Sequence, residues 1–210
     1  MKLYFVRHGE SFGNANGQYN MTMAGALTDR GNEQARELAE RLAPFKFDAA
    51  IVSPLERTVL TALPYLEAAS LPAEAWPELI EMRGRKDIPT PLPPEMRYGP
   101  ELVLPEAAGQ LVRRRPEAEG RLLPPERESY EEGQRRVQLA AGRILSLWGG
   151  RDATVLMVGH ACNGARVLEA LMRIEQDGRF QHDNCGVTMM EQKANGDFIT
   201  RYVNRVAGPL

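Results

Sequence analysis

The chain has 210 residues, of which 43% are hydrophobic and 26% charged, enough for one well-buried domain and short for two. That composition excludes a disordered, collagen-like or disulfide-built protein, and a net charge of −2 gives no overall pull towards nucleic acid or an anionic membrane. The two cysteines, Cys162 and Cys185, read as free thiols of a reducing compartment.

The apolar run that opens the chain is too short for the core of a signal peptide and is followed at once by charge. No later stretch approaches the roughly 18 apolar residues of a spanning helix, so a soluble cytoplasmic protein is expected. Leu3 to Val6, bounded by His8-Gly9, suits a buried strand. A polar loop covers Glu10 to Gly25. Thr28 then caps a helix whose apolar face is Ala35, Leu38, Ala39 and Leu42, and Pro44 ends it. Asp48 to Val52 predicts a second strand. Ser53-Pro54-Leu55-Glu56 carries the N-cap, N1 and N3 residues of a helix start, and Pro64 predicts a kink or early end of that helix. A third strand is expected between Ala73 and Ile80, leading to Glu81.

Between Asp87 and Glu128 lie nine of the 15 prolines. No continuous helix or central strand fits there, yet Leu102, Val103, Leu104, Leu111 and Val112 can pack. The stretch reads as a structured insertion, 87–128, within a single domain of 1–210, and its root beside Glu81 makes it a lid or wall over any site there. Ser129-Tyr130-Glu131-Glu132 is a capping box. Its helix carries Tyr130, Val137, Ala141, Ile144 and Trp148 on one face and ends at Gly149-Gly150. Ala153 to Val158 is nearly all apolar, as in a strand covered on both faces. A helix through Val167, Leu168 and Leu171 follows, then two strands around an Asn195-Gly196 turn. Strands alternating with helices give an α/β fold, a mostly parallel central sheet flanked by helices.

Two of the three histidines, His8 and His160, fall just past the C-terminal ends of predicted strands, the edge at which open α/β sheets bind ligands. Arg7 adjoins His8, and Arg57 lies on the first turn of the helix after Ser53. Two guanidinium forks aimed at one crevice make a phosphate or carboxylate site.

Arg7-His8-Gly9-Glu10 with Asn14, Leu27-Thr28-Asp29-Arg30-Gly31 with Gln34-Ala35, Ser53-Pro54-Leu55-Glu56-Arg57-Thr58 with Thr61-Ala62, Val158-Gly159-His160 with Arg166, and Asn184-Cys185-Gly186-Val187-Thr188 occur in that order. This ordered set resembles the histidine phosphatase superfamily, with its phosphoglycerate-mutase-like fold. The resemblance implies that His8 is a nucleophile forming phosphohistidine, for which imidazole suits as both nucleophile and leaving group. It implies that Arg7, Arg57 and His160 hold the phosphoryl oxygens, joined by Asn14 and the backbone N–H of Ala161. It places the proton donor to the leaving group at Glu81. Where the family often shows a Gly-x-x-Glu-Gly-like stretch after the acid, this chain has Met82-Arg83-Gly84-Arg85-Lys86, and a surface pair of Glu81 with Arg83 or Arg85 is the competing assignment. Cys162 is expected to pack under the site, and His182 to be a plain loop histidine.

No zinc, Walker or dinucleotide motif occurs, so no metal or cofactor is expected. Arg113-Arg114-Arg115 sits among nearly as many acidic residues and reads as solvated. The expected activity is metal-independent hydrolysis of a small phosphomonoester, with no nucleic acid or membrane partner and a homo-oligomer left open. A phosphoglycerate mutase is the alternative, weakened because the glycolytic mutases of the family typically carry Trp where this chain has Gly13. A non-catalytic phospholigand-binding regulator is the third reading.

Overall fold

A computed structural model describes residues 1–16, 26–82, 104–115 and 128–210. In chain order the elements are β1 (Lys2–Arg7), α1 (Phe12–Ala15), α2 (Asp29–Leu42), β2 (Ala49–Val52), α3 (Glu56–Ala69), β3 (Ala73–Ala75), β4 (Val112–Arg114), α4 (Tyr130–Trp148), β5 (Thr154–Gly159), α5 (Ala161–Leu171), β6 (Val187–Gln192) and β7 (Phe198–Arg205). The strands form one seven-stranded sheet in the order β4-β3-β2-β5-β1-β6-β7. β1, β2, β3, β4 and β5 run parallel. β6 and β7 are antiparallel additions at one side.

Alternation along the central strands builds a three-layer sandwich. Tyr4, Val6, Leu156 and Val158 face α2 and α3, where they meet Leu38, Leu42, Val59 and Leu66. Leu3, Phe5, Val155 and Met157 face α4 and α5, where they meet Val137, Ile144, Val167 and Leu168. Both faces of β1 and β5 are covered, which is why their sequences read as unbroken apolar runs. Among the described residues no helix is long and apolar enough to cross a membrane.

Two local expectations are corrected. Ser53 does not cap α3: the helix begins at Glu56 behind Leu55, which makes no side-chain cap bond. Pro64 does not end α3, which runs on to Ala69. The missing N–H at Pro64 costs about 3 kcal/mol in a helix, but Val59, Leu63 and Leu66 are buried on the same helix, and each such side chain contributes about 1.5–3 kcal/mol. The third strand falls within the stretch expected for it, at Ala73–Ala75, and a 3-10 turn at Pro77–Leu79 carries the chain to Glu81. The capping box at Ser129 is present, with Ser129 Oγ accepting from Glu132 N and Glu132 reaching back to the Ser129 N–H.

Of the Pro-rich stretch, residues 104–115 form a 3-10 turn at Glu106–Ala108 and then β4, which pairs parallel with β3 at the sheet edge and buries Val112. Leu102 and Val103 lie outside the described residues, as do 87–103 and 116–127 generally, and with them most of the expected lid.

Candidate active site

Three adjacent strands, β2, β5 and β1, end at the same edge of the sheet. Arg7 is in register with Gly159, and the His8 N–H continues the ladder to the Gly159 carbonyl at 3.0 Å. This sets His8 and His160 side by side, their ring centroids 5.2 Å apart. Ser53 follows the third strand end. Its Oγ, free of capping duty, lies 2.8 Å from His160 Nε2.

Arg57 stands between the two rings. Its Nε–H donates to His8 Nε2 at 3.2 Å, and its Nη2 reaches His160 Nδ1 at 3.2 Å. A guanidinium has only donors, so both imidazole atoms facing it are acceptors. The proton of His8 is therefore on Nδ1, which donates to the Gly9 carbonyl at 2.7 Å. The proton of His160 is on Nε2 and is donated to Ser53. Burial, then the positive charge of Arg57, hold both histidines well below the usual imidazole range. Both rings are neutral, and His8 presents an unprotonated Nε2 to the crevice.

α3 is keyed to the loop after β1 by Thr61, whose Oγ1 accepts the Gly9 N–H at 2.9 Å and donates to the Arg57 carbonyl at 2.6 Å. A Cβ on Gly31 would lie 2.0 Å from the Glu10 carbonyl oxygen, so only glycine lets α2 pack this closely on the same loop. Arg7 is anchored through Nη1 to the carbonyl of His182 at 2.6 Å. Asn14 closes a capping box on α1 with Ser11, and its Oδ1 accepts from Asn184 Nδ2 at 3.0 Å. That same Nδ2 also donates to the His8 carbonyl at 2.9 Å. Ala161 opens α5, and the first N–H groups of a helix have no partner within it, which makes this end a ready anion site.

Glu81 lies against that same helix end. Its Oε1 accepts from the Asn163 N–H at 2.8 Å and from the Met82 N–H at 2.9 Å, and its Oε2 from the Cys162 N–H at 3.3 Å. Arg83 and Arg85, the competing partners, lie outside the described residues. Cys162 is exposed on the first turn of α5 rather than packed beneath the site, because its side of that turn faces outward while Asn163 and Gly164 are buried. His182 is not a plain loop residue either. It is buried, bonds through Nε2 to Thr188 Oγ1 at 2.7 Å and sets its ring edge-on to Phe5. Burial, with Arg7 nearby, lowers its pKa to about 4.

The structure thus joins His8, Arg57 and His160 directly, puts the Glu81 carboxylate against the N-terminus of the helix whose N-cap position is His160, and places Arg7 and Asn14 on the supports around His8. Ser53, Thr61 and Asn184 hold His160, the Gly9 N–H and the His8 carbonyl, and nothing in their residue type or local motif announces those long-range partners. Among the described residues no group of three or more His, Cys, Asp and Glu is placed to hold a metal ion.

A sequence model of the histidine phosphatase superfamily, branch 1, matches residues 3–89 and 95–205. The chain belongs to this superfamily. Its mostly parallel sheet flanked by helices matches phosphoglycerate-mutase-like structural neighbours. The α-ribazole phosphatase of Shigella flexneri superposes over all of this chain and 99% of its own, with a TM-score of 0.74 and 25% identity. The adenosylcobalamin/α-ribazole phosphatase of Escherichia coli (strain K12) is 42% identical over 82 residues, 39% of this histidine phosphatase-like chain. That alignment spans 40% of the Escherichia coli protein, about two fifths of its length. An Enterobacter sp. (strain 638) protein named as a probable phosphoglycerate mutase GpmB is 26% identical over 212 residues, covering 100% of this chain and 94% of its own.

Proposed function

We propose that this member of the superfamily is a metal-independent phosphomonoesterase acting on a small phosphorylated substrate through phosphohistidine on His8. The observation that carries the reading is the unprotonated Nε2 of His8, fixed by the Nδ1–H bond to Gly9 and faced by Arg57.

The substrate dianion enters among Arg7, Arg57, His160, Asn14 and the Ala161 N–H. Arg57 transfers its hydrogen bonds from the two rings to phosphoryl oxygens. His8 Nε2 attacks phosphorus, the P–O ester bond breaks, and the leaving oxygen takes a proton from the Glu81 carboxyl. The Gly9 carbonyl holds the Nδ1 proton throughout, so the ring keeps its orientation as it becomes positive. Water then attacks the phosphohistidine, Glu81 takes its proton, and the N–P bond breaks to release phosphate. Most of the acceleration in such a site comes from positioning and preorganised donors.

The test is turnover of p-nitrophenyl phosphate in EDTA, with an acid-labile phosphoenzyme trapped by rapid quench. Binding of phosphate without turnover would favour the regulatory reading. The full-length match to the mutase-named protein keeps one alternative in view, and transfer between phosphoglycerates with little hydrolysis would establish it.

A further inference from the structure

Arg136 lies on α4, outside every motif that carries the family resemblance, and its five N–H groups meet five acceptors. Nε and Nη2 take the Glu128 carboxylate as a fork, at 2.6 Å to Oε1 and 2.7 Å to Oε2. Nη1 donates to the carbonyls of Glu78 at 2.9 Å and Ile80 at 2.5 Å, and Nη2 also reaches the carbonyl of Glu81 at 3.3 Å. The side chains of Arg136 and Glu128 are 12% and 2% exposed. Asn163, whose N–H holds the Glu81 carboxylate, adds an Nδ2–H bond to the Glu78 carbonyl at 3.2 Å. Arg115, at the end of β4, pairs with the Glu78 side chain at 2.8 Å.

We infer that Arg136, oriented by Glu128, is a positioning residue for the proton transfer at Glu81. The segment from Glu78 to Glu81 runs through the end of the 3-10 turn Pro77–Leu79 and on past it, and belongs to no strand, so its carbonyls have no ladder to hold them. A planar guanidinium can gather three carbonyls on one side and a carboxylate on the other; an ammonium, with three donors on one atom, cannot. The clamp fixes the main chain from which the Glu81 side chain reaches the N-terminus of α5. Displacement of an acid by about 1 Å can cost about 10²-fold in rate.

The inference rests on Glu81 being the proton donor, and the experiment separates the two. The probes are aryl phosphates from 4-nitrophenyl to phenyl phosphate, whose leaving groups need a proton increasingly, read as kcat/KM so that only the phosphorylation step is reported. Arg136→Lys is expected to lose about tenfold or more on phenyl phosphate and under about threefold on 4-nitrophenyl phosphate, the dependence that loss of an acid gives. Orthovanadate affinity is expected to stay within about twofold, since the cradle around His8 is untouched. Glu128→Gln keeps Arg136 in place and serves where the lysine variant folds poorly; it should show the same dependence in weaker form. The double variant Glu81→Gln/Arg136→Lys should lose no more than Glu81→Gln alone, because Arg136 acts only through Glu81. A loss equal on all esters, or additive with Glu81→Gln, overturns the inference while leaving Glu81 as donor. A Glu81→Gln variant with no leaving-group dependence overturns both.

Discussion

His160 and Ser53 bind the ends of two neighbouring parallel strands through one hydrogen bond of 2.8 Å, and that bond decides which nitrogen of His160 faces Arg57. With Nε2 committed to Ser53 Oγ, Nδ1 is left as an acceptor. Ser53→Ala removes the fixed tautomer without touching Arg57 or His8. The expected outcome is a fall in kcat of about tenfold, smaller than the 10²–10³ of a lost preorganised donor because the ring is still present. Ser53→Thr should restore most of it. Steady-state kinetics on p-nitrophenyl phosphate check both.

His8→Ala should abolish turnover and the trapped phosphoenzyme together, since the other imidazole in the crevice, His160, carries its proton on Nε2. Arg57→Ala should cost about 10²–10³ in kcat. It also takes the cation away from both rings, so their titration should move up towards the ordinary imidazole value, followed by NMR of the ring protons. Substantial activity in His8→Ala would sink the nucleophile assignment.

Acid should destabilise the fold earlier than carboxylate protonation alone requires. His8 and His160 titrate well below 6.5 when folded, and His182 at about 4, so between pH 6.5 and about 4 the unfolded chain binds protons that the native state refuses. Stability therefore falls as pH drops through that window. One histidine contributes up to about 1.4 kcal/mol of loss per pH unit, and the three together roughly 4 kcal/mol at pH 5.5 relative to pH 7.5. Urea unfolding at those two pH values measures it; equal stability at both would contradict the neutral, buried rings.

Two glycines should respond oppositely to alanine. A Cβ on Gly164 would meet the Phe5 ring at 2.0 Å. Phe5 is fully buried and packs on the His182 ring at 4.7 Å, so it has no room to yield. Gly164→Ala should cost at least about 1–3 kcal/mol and disturb α5, which carries His160 at its N-cap. Gly142 lies on α4 with nothing within 4 Å of an added Cβ. Gly142→Ala should stabilise by about 0.5–1 kcal/mol. Thermal melts of the pair compare them directly.

The central strands and the amphipathic helices were legible because their patterns answer to single rules. Leu3 to Val6 and Ala153 to Val158 are buried on two faces, and Leu38 and Leu42 recur at helical spacing. His8, His160 and Arg7 stood out because each sits at a strand end, and Arg57 because it lies on the first turn of the helix that follows one. What stayed hidden depends on long-range partners. Ser53 satisfied a local capping rule and was claimed instead by a histidine 107 residues away. Pro64 obeyed tertiary packing over its own preference. Arg136 is one of several arginines on a charged helix, and only the carbonyls of residues 78, 80 and 81, at least 55 positions distant, set it apart. Val112 to Arg114 is too short for periodicity to show against its proline-rich surroundings.

The position of β1 in the middle of the sheet has a consequence for how the chain is made. Its neighbours are β5 and β6, which begin about 150 residues or more downstream. At 5–20 residues per second the ribosome needs on the order of ten seconds to supply them. Until then Leu3, Phe5 and Val6 have no strand to pair with, and β2 and β3 alone cannot enclose them. Closing so large a loop is slow and is rewarded only at the end. β1 is made before the strands on either side of it and is buried only after them, and because His8 follows it directly, the cluster of His8, Arg57 and His160 cannot assemble until β5 has emerged.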